Sequence, residues 1–281
     1  MGVVSRFTFD GHHNMDTTIF LKLGGSLITD KSREQTVLPD VLARLADEIA
    51  AAIAARPNLR LVVGHGSGSF GHTEAKKHGT RQGVRTPEEW RNFADVAHVA
   101  AKLNRHVLDA LRAAGIPTIN AQPSASVVCR DGAIVEMAVA PIQRALDGGL
   151  LPVVYGDVAV DEVRGGTIIS TEDEFRFLAT RLRPAPSEIL LAGIERGVLT
   201  SWPGGEVIPL ITPQNIEGLH PALRGSHAAD VTGGMESKVL EMLAQAQAMS
   251  GLSIRIFSGV EAGVVKRALL GGMMEGTVVK S

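Results

Sequence analysis

The sequence predicts an α/β layered fold built on a largely parallel sheet. Short apolar runs alternate with longer amphipathic stretches, and glycines close the first two of those runs at once. No Pro/Ser/Gly stretch is long enough to separate independent domains, and no internal repeat is visible. Taken in order, Thr18 to Leu23 (TIFLKL) reads as a first strand stopped by Gly24-Gly25. Pro39 opens a helix to about Ala55, where Arg56-Pro57 ends it. Leu59 to Gly64 is a second strand, Pro87 to Ala114 a long helix closed by Gly115, and Ile116 to Ile119 the next strand. Leu150 to Tyr155 is a strand, followed by a hairpin expected to turn at Gly165-Gly166 and return through Thr167 to Ile169. Glu172 to Leu182 is helical, Glu188 to Ala192 a strand, and Thr200 to Pro213 loop-rich. Thr232 opens the last long helix; strand Ile254 to Phe257, helix Val260 to Leu270 and strand Thr277 to Val279 complete the chain.

Composition removes several function classes. The 281 residues are 44% apolar, with 28 Lys+Arg against 30 Asp+Glu and a formal net charge of −2. No basic block offers a footprint for nucleic acid or a membrane surface, and no run reaches the ~18 apolar residues of a spanning helix. The single cysteine, Cys129, excludes an intrachain disulfide, suits a reducing cytosol, and reads as a small buried hydrophobe. The first sixteen residues carry Arg6, Asp10, His12 and His13 without an apolar core, so they are expected to be a disordered leader or an appended remnant, with Met15 as the natural start.

Two strands end in glycine-rich turns that carry polar groups suited to phosphate. The first is Lys22-Leu23-Gly24-Gly25-Ser26, continuing to Thr29-Asp30-Lys31. Glycine lets backbone N–H groups approach an anion, a following helix start adds a positive end, and the lysines add point charges. It is not a Walker A loop, because the order of glycines and lysine differs. The second turn, Gly64 to His72, packs four glycines and two serines into nine residues. His72 can change its proton state near neutrality beside a phosphate. The alternative is a pair of structural turns with incidental histidines. In Asp230 to Lys238 (DVTGGMESK), Thr232 caps a helix whose N-terminus Lys238 can reach. Ser170-Thr171-Glu172-Asp173 reads equally as a functional acidic pair and as a capped first helical turn.

These stretches, LKLGGSLITDK, GHGSGSFGH, YGD and DVTGGMESK, resemble in this order the amino-acid-kinase superfamily, and within it the isopentenyl phosphate kinases. The resemblance spans the chain from Thr18 onward; the lysine–glycine–glycine start is shared widely, whereas ITDK with SFGH is narrower. It implies a three-layer α/β/α sandwich, a cytoplasmic homodimer, and transfer of a phosphoryl group from ATP with Mg²⁺ to isopentenyl phosphate. It implies one domain over 17–281, with an acceptor lobe at about 17–180 and a nucleotide lobe at about 181–281. By motif position it makes Lys22, Lys31 and His72 catalytic and puts Lys22, Gly24, Gly25, Ser67, Gly233 and Lys238 at the nucleotide. It puts Gly66, Gly68, His72, Phe93, Val96, Asp157 and Thr171 at the acceptor. Phe93, Val96, Ala97 and Ala100 share a helix face that serves equally as ordinary core.

Three departures stand out. Ala192 to Val198 (AGIERGV) replaces T-D-V-D-G-V and loses or displaces both aspartates; Gly66-Ser67-Gly68 replaces three glycines; and Ser170-Thr171-Glu172-Asp173 replaces S-G-D-D. The first leaves the nucleotide base preference open. The nearest rival is a fosfomycin-type phosphonate kinase, which shares the lysines and the histidine. A non-catalytic binding protein that kept the nucleotide fold is a second, and Lys22, Lys31, His72 and Lys238 together argue against it.

Overall fold

A computed structural model describes residues 17–71, 79–202, 204–224 and 235–281. In chain order its strands are β1 (Thr17–Leu23), β2 (Leu59–His65), β3 (Thr118–Asn120), β4 (Val127–Arg130), β5 (Ala133–Met137), β6 (Leu151–Tyr155), β7 (Asp157–Asp161), β8 (Gly165–Ile169), β9 (Pro186–Gly193), β10 (Leu210–Ile211), β11 (Ser253–Ser258) and β12 (Thr277–Lys280). Its α-helices are α1 (Gly25–Ile28), α2 (Pro39–Ala55), α3 (Pro87–Ala113), α4 (Val139–Asp147), α5 (Thr171–Ala179), α6 (Ile216–Arg224), α7 (Met235–Ala248) and α8 (Val264–Leu269).

An eight-stranded sheet runs β10-β12-β11-β9-β1-β2-β6-β3, and only the β11–β12 pairing in it is antiparallel. Parallel strands covered on both faces need apolar residues in succession, and the buried run Thr18 to Leu21 of β1 meets that need. The strand's period of two then divides the core. Ile19, Leu21 and Leu23 join the cluster that includes α2, α3 and α8 residues, whereas Phe20 joins the cluster of α4, α5, α6 and α7 residues on the other face. The result is the expected three-layer α/β/α arrangement. A second sheet, β5-β4-β7-β8, lies beside it.

The expected strands and helices reappear within a few residues of their expected ends, and α3 begins with a full Thr86–Glu89 capping box ahead of Pro87. The hairpin differs. Its turn lies between Asp161 and Gly165, where Asp161 Oδ1 accepts from the N–H groups of Val163 and Arg164 at 2.9 and 2.8 Å. Gly165 and Gly166 instead open the return strand, because Val84 O and the Phe93 ring press where their side chains would stand. The last helix is also shorter than expected: Gly263, at φ +84°, starts it at Val264. Thr232, expected to open α7, lies outside the described residues, and Met235–Ala248 are helical.

Candidate active site at the ends of the parallel strands

Because β1 alternates, Lys22 points to the same face as Phe20, which α5 covers. There its ammonium pairs with Glu172 Oε1. Glu172 stands in the first turn of α5, a turn fixed by a capping box in which Ser170 Oγ accepts from the Asp173 N–H while the Asp173 carboxylate accepts from the Ser170 N–H. Burial works to raise the Glu172 pKa, but the charge and hydrogen bond of Lys22, and then the charge of Lys238, hold it below the usual carboxylate range. Lys238, in the first turn of α7, is therefore close enough to act on the same carboxylate. The carboxylate holds the Lys22 ammonium directly and feels the charge of Lys238.

The two glycine turns pack against each other backbone to backbone. A Cβ on Gly25 would lie 2.2 Å from Gly68 N, and one on Gly68 would lie 2.1 Å from Thr29 Oγ1, with Gly68 already at φ +50°. Gly24 N–H donates to Ala192 O at 2.7 Å and Gly66 N–H to Leu23 O at 3.0 Å, so both turns are anchored to strand ends. Thr29 Oγ1 donates to Gly25 O at 2.7 Å and accepts from Ser69 N–H at 2.9 Å. The Gln35 N–H donates to Ser69 O, and the Thr36 N–H to Ser69 Oγ. The ITDK and SGSFG segments are thus one knitted unit. Ser67 O accepts from the Phe70 and Gly71 N–H groups, which makes Ser67 the start of a helical turn.

Beneath the turns lies a buried polar layer. His65, at the end of β2, is 1% exposed and stacks on Tyr155 with ring centroids 5.4 Å apart. Its carbonyl accepts from Thr171 Oγ1 at 2.6 Å and from Gly156 N–H at 3.2 Å. Its ring nitrogens face Gly66 O and Asn104 Oδ1, and Asn104 Nδ2 donates to Asn120 Oδ1. Asp157 is equally buried and accepts from the N–H groups of Ser124 and Val158; burial pushes its carboxyl pKa up.

Of the sequence-predicted site residues, Lys22, Gly24, Gly25, Gly66, Ser67 and Gly68 fall at the ends of the neighbouring strands β1 and β2, and the charge of Lys238 reaches Glu172 there. Thr171 and Asp157 lie under these ends, with their oxygens taken by backbone groups. Lys31 is exposed beyond the Thr29–Val37 bridge, next to Asp30, whose pKa the Ser32 hydroxyl and Arg33 lower to about 2; among the described residues no hydrogen bond or ion pair joins Lys31 to Lys22 or Glu172. Phe93 packs edge-on to Trp90 against Gly166, while Val96, 3% exposed, is core on the same helix. His72 and Gly233 lie outside the described residues. Cys129 is buried, and burial followed by the charge of Asp161 pushes its thiol up to about 11, in keeping with an inert side chain. An open pocket of about 430 Å³, lined by residues such as Arg196, Glu206, Pro209 and Glu275, includes none of the predicted site residues.

The sequence offered Glu172 and Asp173 as an acidic pair without separating them or naming Lys22 as the partner of Glu172. The signal was available: Lys22 ends a buried strand and needs a counter-ion, while a capping box uses Asp173 and leaves Glu172 over.

The sequence profile described as "Amino acid kinase family" matches residues 17–258. The chain belongs to the amino acid kinase family. Within that family it is 36% identical to the isopentenyl phosphate kinase of Methanothermobacter thermautotrophicus over 270 residues, covering 92% of this chain and 97% of that one. It is 32% identical to the isopentenyl phosphate kinase of Methanocaldococcus jannaschii, with the same coverage of both chains. Among solved structures, one described as an X-ray structure of isopentenyl phosphate kinase superposes with a TM-score of 0.79 at 32% identity, covering 94% of this chain and 100% of that one.

Proposed function

We propose that this family member transfers the γ-phosphoryl group of ATP to isopentenyl phosphate, giving ADP and isopentenyl diphosphate. The observation that carries this reading is the Lys22–Glu172–Lys238 array beside two mutually packed glycine turns, in a chain that aligns almost end to end with isopentenyl phosphate kinases.

Phosphoryl transfer asks the protein mainly for in-line positioning and for neutralisation of spread negative charge. In this reading Lys22 contacts the transferring group, Lys238 the β/γ end of ATP, and Glu172 holds the Lys22 ammonium in place. Lys31 stabilises the transition state, and His72 holds the acceptor phosphate. Gly24, Gly25, Ser67 and Gly233 line the nucleotide side. Gly66, Gly68, Asp157 and Thr171 shape the acceptor side, Asp157 and Thr171 by fixing the backbone below it. The acceptor is already an anion, so no strong base is needed. Phe93 and Val96 belong to the apolar wall for the prenyl tail, with Trp90 beside them.

Magnesium enters this reading as a cation carried by the nucleotide's phosphates, as it commonly is in kinases. It would offset the repulsion between donor and acceptor anions. A homodimer in the cytoplasm, with an acceptor lobe over about 17–180 and a nucleotide lobe over about 181–281, completes the reading. No helix among the described residues is long and apolar enough to cross a membrane.

The test is an ADP-release assay with Mg-ATP and, in turn, isopentenyl phosphate, dimethylallyl phosphate, geranyl phosphate and fosfomycin. Turnover of the short prenyl phosphates is expected. It should fall about 10²–10³-fold in His72→Ala and about 10²-fold in Glu172→Gln, the cost of one preorganised electrostatic group. Turnover of fosfomycin alone would move the protein to the phosphonate kinases.

A further inference from the structure

On the face of the sheet away from Lys22, helix α2 carries a half-buried ion pair that the reaction as described does not use. Glu48 is 8% exposed, yet its carboxylate is fully engaged. Oε1 accepts from Arg44 Nη1 at 2.6 Å, and Oε2 accepts from the N–H groups of Val265 and Lys266 at 2.9 and 3.2 Å. Those two amides open α8, so the carboxylate meets a helix N-terminus. That half of the contact is a tertiary helix cap.

The other half does something a cap does not require. Arg44 Nη2 donates to Gly259 O at 2.8 Å, and Nη1 reaches Glu261 O at 3.4 Å, so the guanidinium grips the loop between β11 and α8 by its carbonyls. Gly259 in turn donates its N–H to Gly193 O at 2.8 Å, at the end of β9. The neighbouring carbonyl, Ala192 O, holds the Gly24 N–H at 2.7 Å. The packing is tight as well: a Cβ on Gly259 would sit 2.7 Å from Leu27 Cδ2 and 3.3 Å from Ala192 Cβ. A continuous set of short contacts therefore runs from α2 through the loop and the β9 end to the first glycine turn. Arg44 and Glu48 are about 215 residues away in sequence from the loop they hold, so local structure does not dictate the link.

We infer that Arg44 and Glu48 are positioning residues for the nucleotide side of the transfer, setting the Gly24–Gly25 turn through Gly259 and the Ala192–Gly193 strand end. The inference rests on the kinase reading above. The Gly24 N–H is spent on Ala192 O, so that strand end sets where the rest of the turn presents its backbone to a phosphate, and small displacements forfeit much of that. The second glycine turn packs on the first but has further anchors of its own, the Gly66 N–H on Leu23 O and the Gln35 and Thr36 N–H groups on Ser69, so the acceptor side should be affected less.

The experiment is steady-state kinetics of Arg44→Ala, Arg44→Lys and Gly259→Ala, varying Mg-ATP and isopentenyl phosphate separately, with melting curves and calorimetric titration of a non-hydrolysable ATP analogue. Arg44→Ala is expected to raise KM for Mg-ATP and the analogue's Kd about tenfold, with KM for isopentenyl phosphate within about twofold of wild type. Arg44→Lys should recover part of the loss. Gly259→Ala, which leaves the ion pair intact, should show the same split. A lowered melting temperature with unchanged nucleotide KM and Kd would reduce the pair to a structural cap and overturn the inference, as would equal loss towards both substrates. If Arg44→Ala does not fold, the other two variants decide. Wild-type protein that binds the analogue without turning over isopentenyl phosphate would break the functional reading instead, and the calorimetric comparison would still judge this one.

Discussion

His65 turns both ring nitrogens toward oxygen, Nδ1 to Gly66 O at 3.1 Å and Nε2 to Asn104 Oδ1 at 3.2 Å. Burial, chiefly, lowers its pKa from 6.5 to about 4, and the nearby charge of Lys22 acts in the same direction. The ring is therefore neutral at pH 7 and carries one N–H, so only one of the two contacts is a hydrogen bond donated by the ring. With Asn104 Nδ2 engaged on Asn120 Oδ1, Asn104 offers its Oδ1 to the ring, so a proton on Nε2 donates to Asn104 and the Nδ1–Gly66 O contact is then not a hydrogen bond. Protonation at acid pH has a definite sign. The unfolded chain binds a proton near pH 6.5 and the folded chain near 4, so this histidine's contribution is complete above pH 6.5 and is lost as pH falls through 4. The full span is about 3 kcal/mol. Urea melts of wild type and His65→Gln at pH 7 and 4.5 test it by difference, which cancels titrations common to both. The wild type should lose more stability on acidification than the variant; equal losses would mean that His65 does not titrate in that range.

Helix α5 shows how an element can satisfy two readings at once. The capped acidic turn legible in Ser170 to Asp173 is real, and the two acids in it part company: Asp173 closes the cap and Glu172 meets Lys22. The next acid, Glu174, was open to the same reasoning. Thr171, Glu174, Phe175 and Leu178 stand at i, i+3, i+4 and i+7, the spacing of a buried stripe, and all are at most 1% exposed. Both Glu174 carboxylate oxygens are buried without a hydrogen-bond partner, and burial, then the charges of Asp157, Asp173 and Glu172, push its pKa well up. A raised carboxyl contributes stability below its unfolded pKa and loses it as pH rises. Glu174→Leu should therefore stabilise the fold by about 1–3 kcal/mol at pH 8, and by less at pH 5. Denaturant midpoints at both pH values check this, and a destabilised or pH-independent difference would refute it. The element that sequence analysis left blank, the β4–β5 hairpin, also carried its signal. Asp131-Gly132, with φ of 51° and 85°, is the two-residue turn that this dipeptide favours. The strands around it are short and half exposed, so their apolar pattern was too weak to draw notice. The displaced β7–β8 turn was a different failure. Its glycines answer to Val84 and Phe93, which are distant in sequence, and no local rule contains them.

At the scale of the molecule, the division into an acceptor lobe and a nucleotide lobe does not correspond to a break in the sheet. β9, from the second segment, pairs along β1, from the first, over Thr18 to Leu23, and β11 continues the sheet beyond it. Each core cluster draws residues from both segments: Leu190, Phe257 and Val265 pack with Ile19 and Leu61 on one face, and Val239 and Ile254 with Phe20 and Val154 on the other. Opening one lobe would expose the central strand of the other, so the lobes should unfold together. The chain offers a direct probe, because its two tryptophans fall one in each segment and both are about two-fifths exposed: Trp90 at 41% and Trp202 at 40%. Trp90→Phe and Trp202→Phe leave single reporters in opposite segments at little cost to packing. Fluorescence melts of the two variants in urea should give coincident midpoints, matched by far-ultraviolet circular dichroism. Two separated midpoints, one following Trp90 and the other Trp202, would instead make the segments independent cooperative units, and the shared β1–β9 pairing would then be a docking contact and not the spine of the fold.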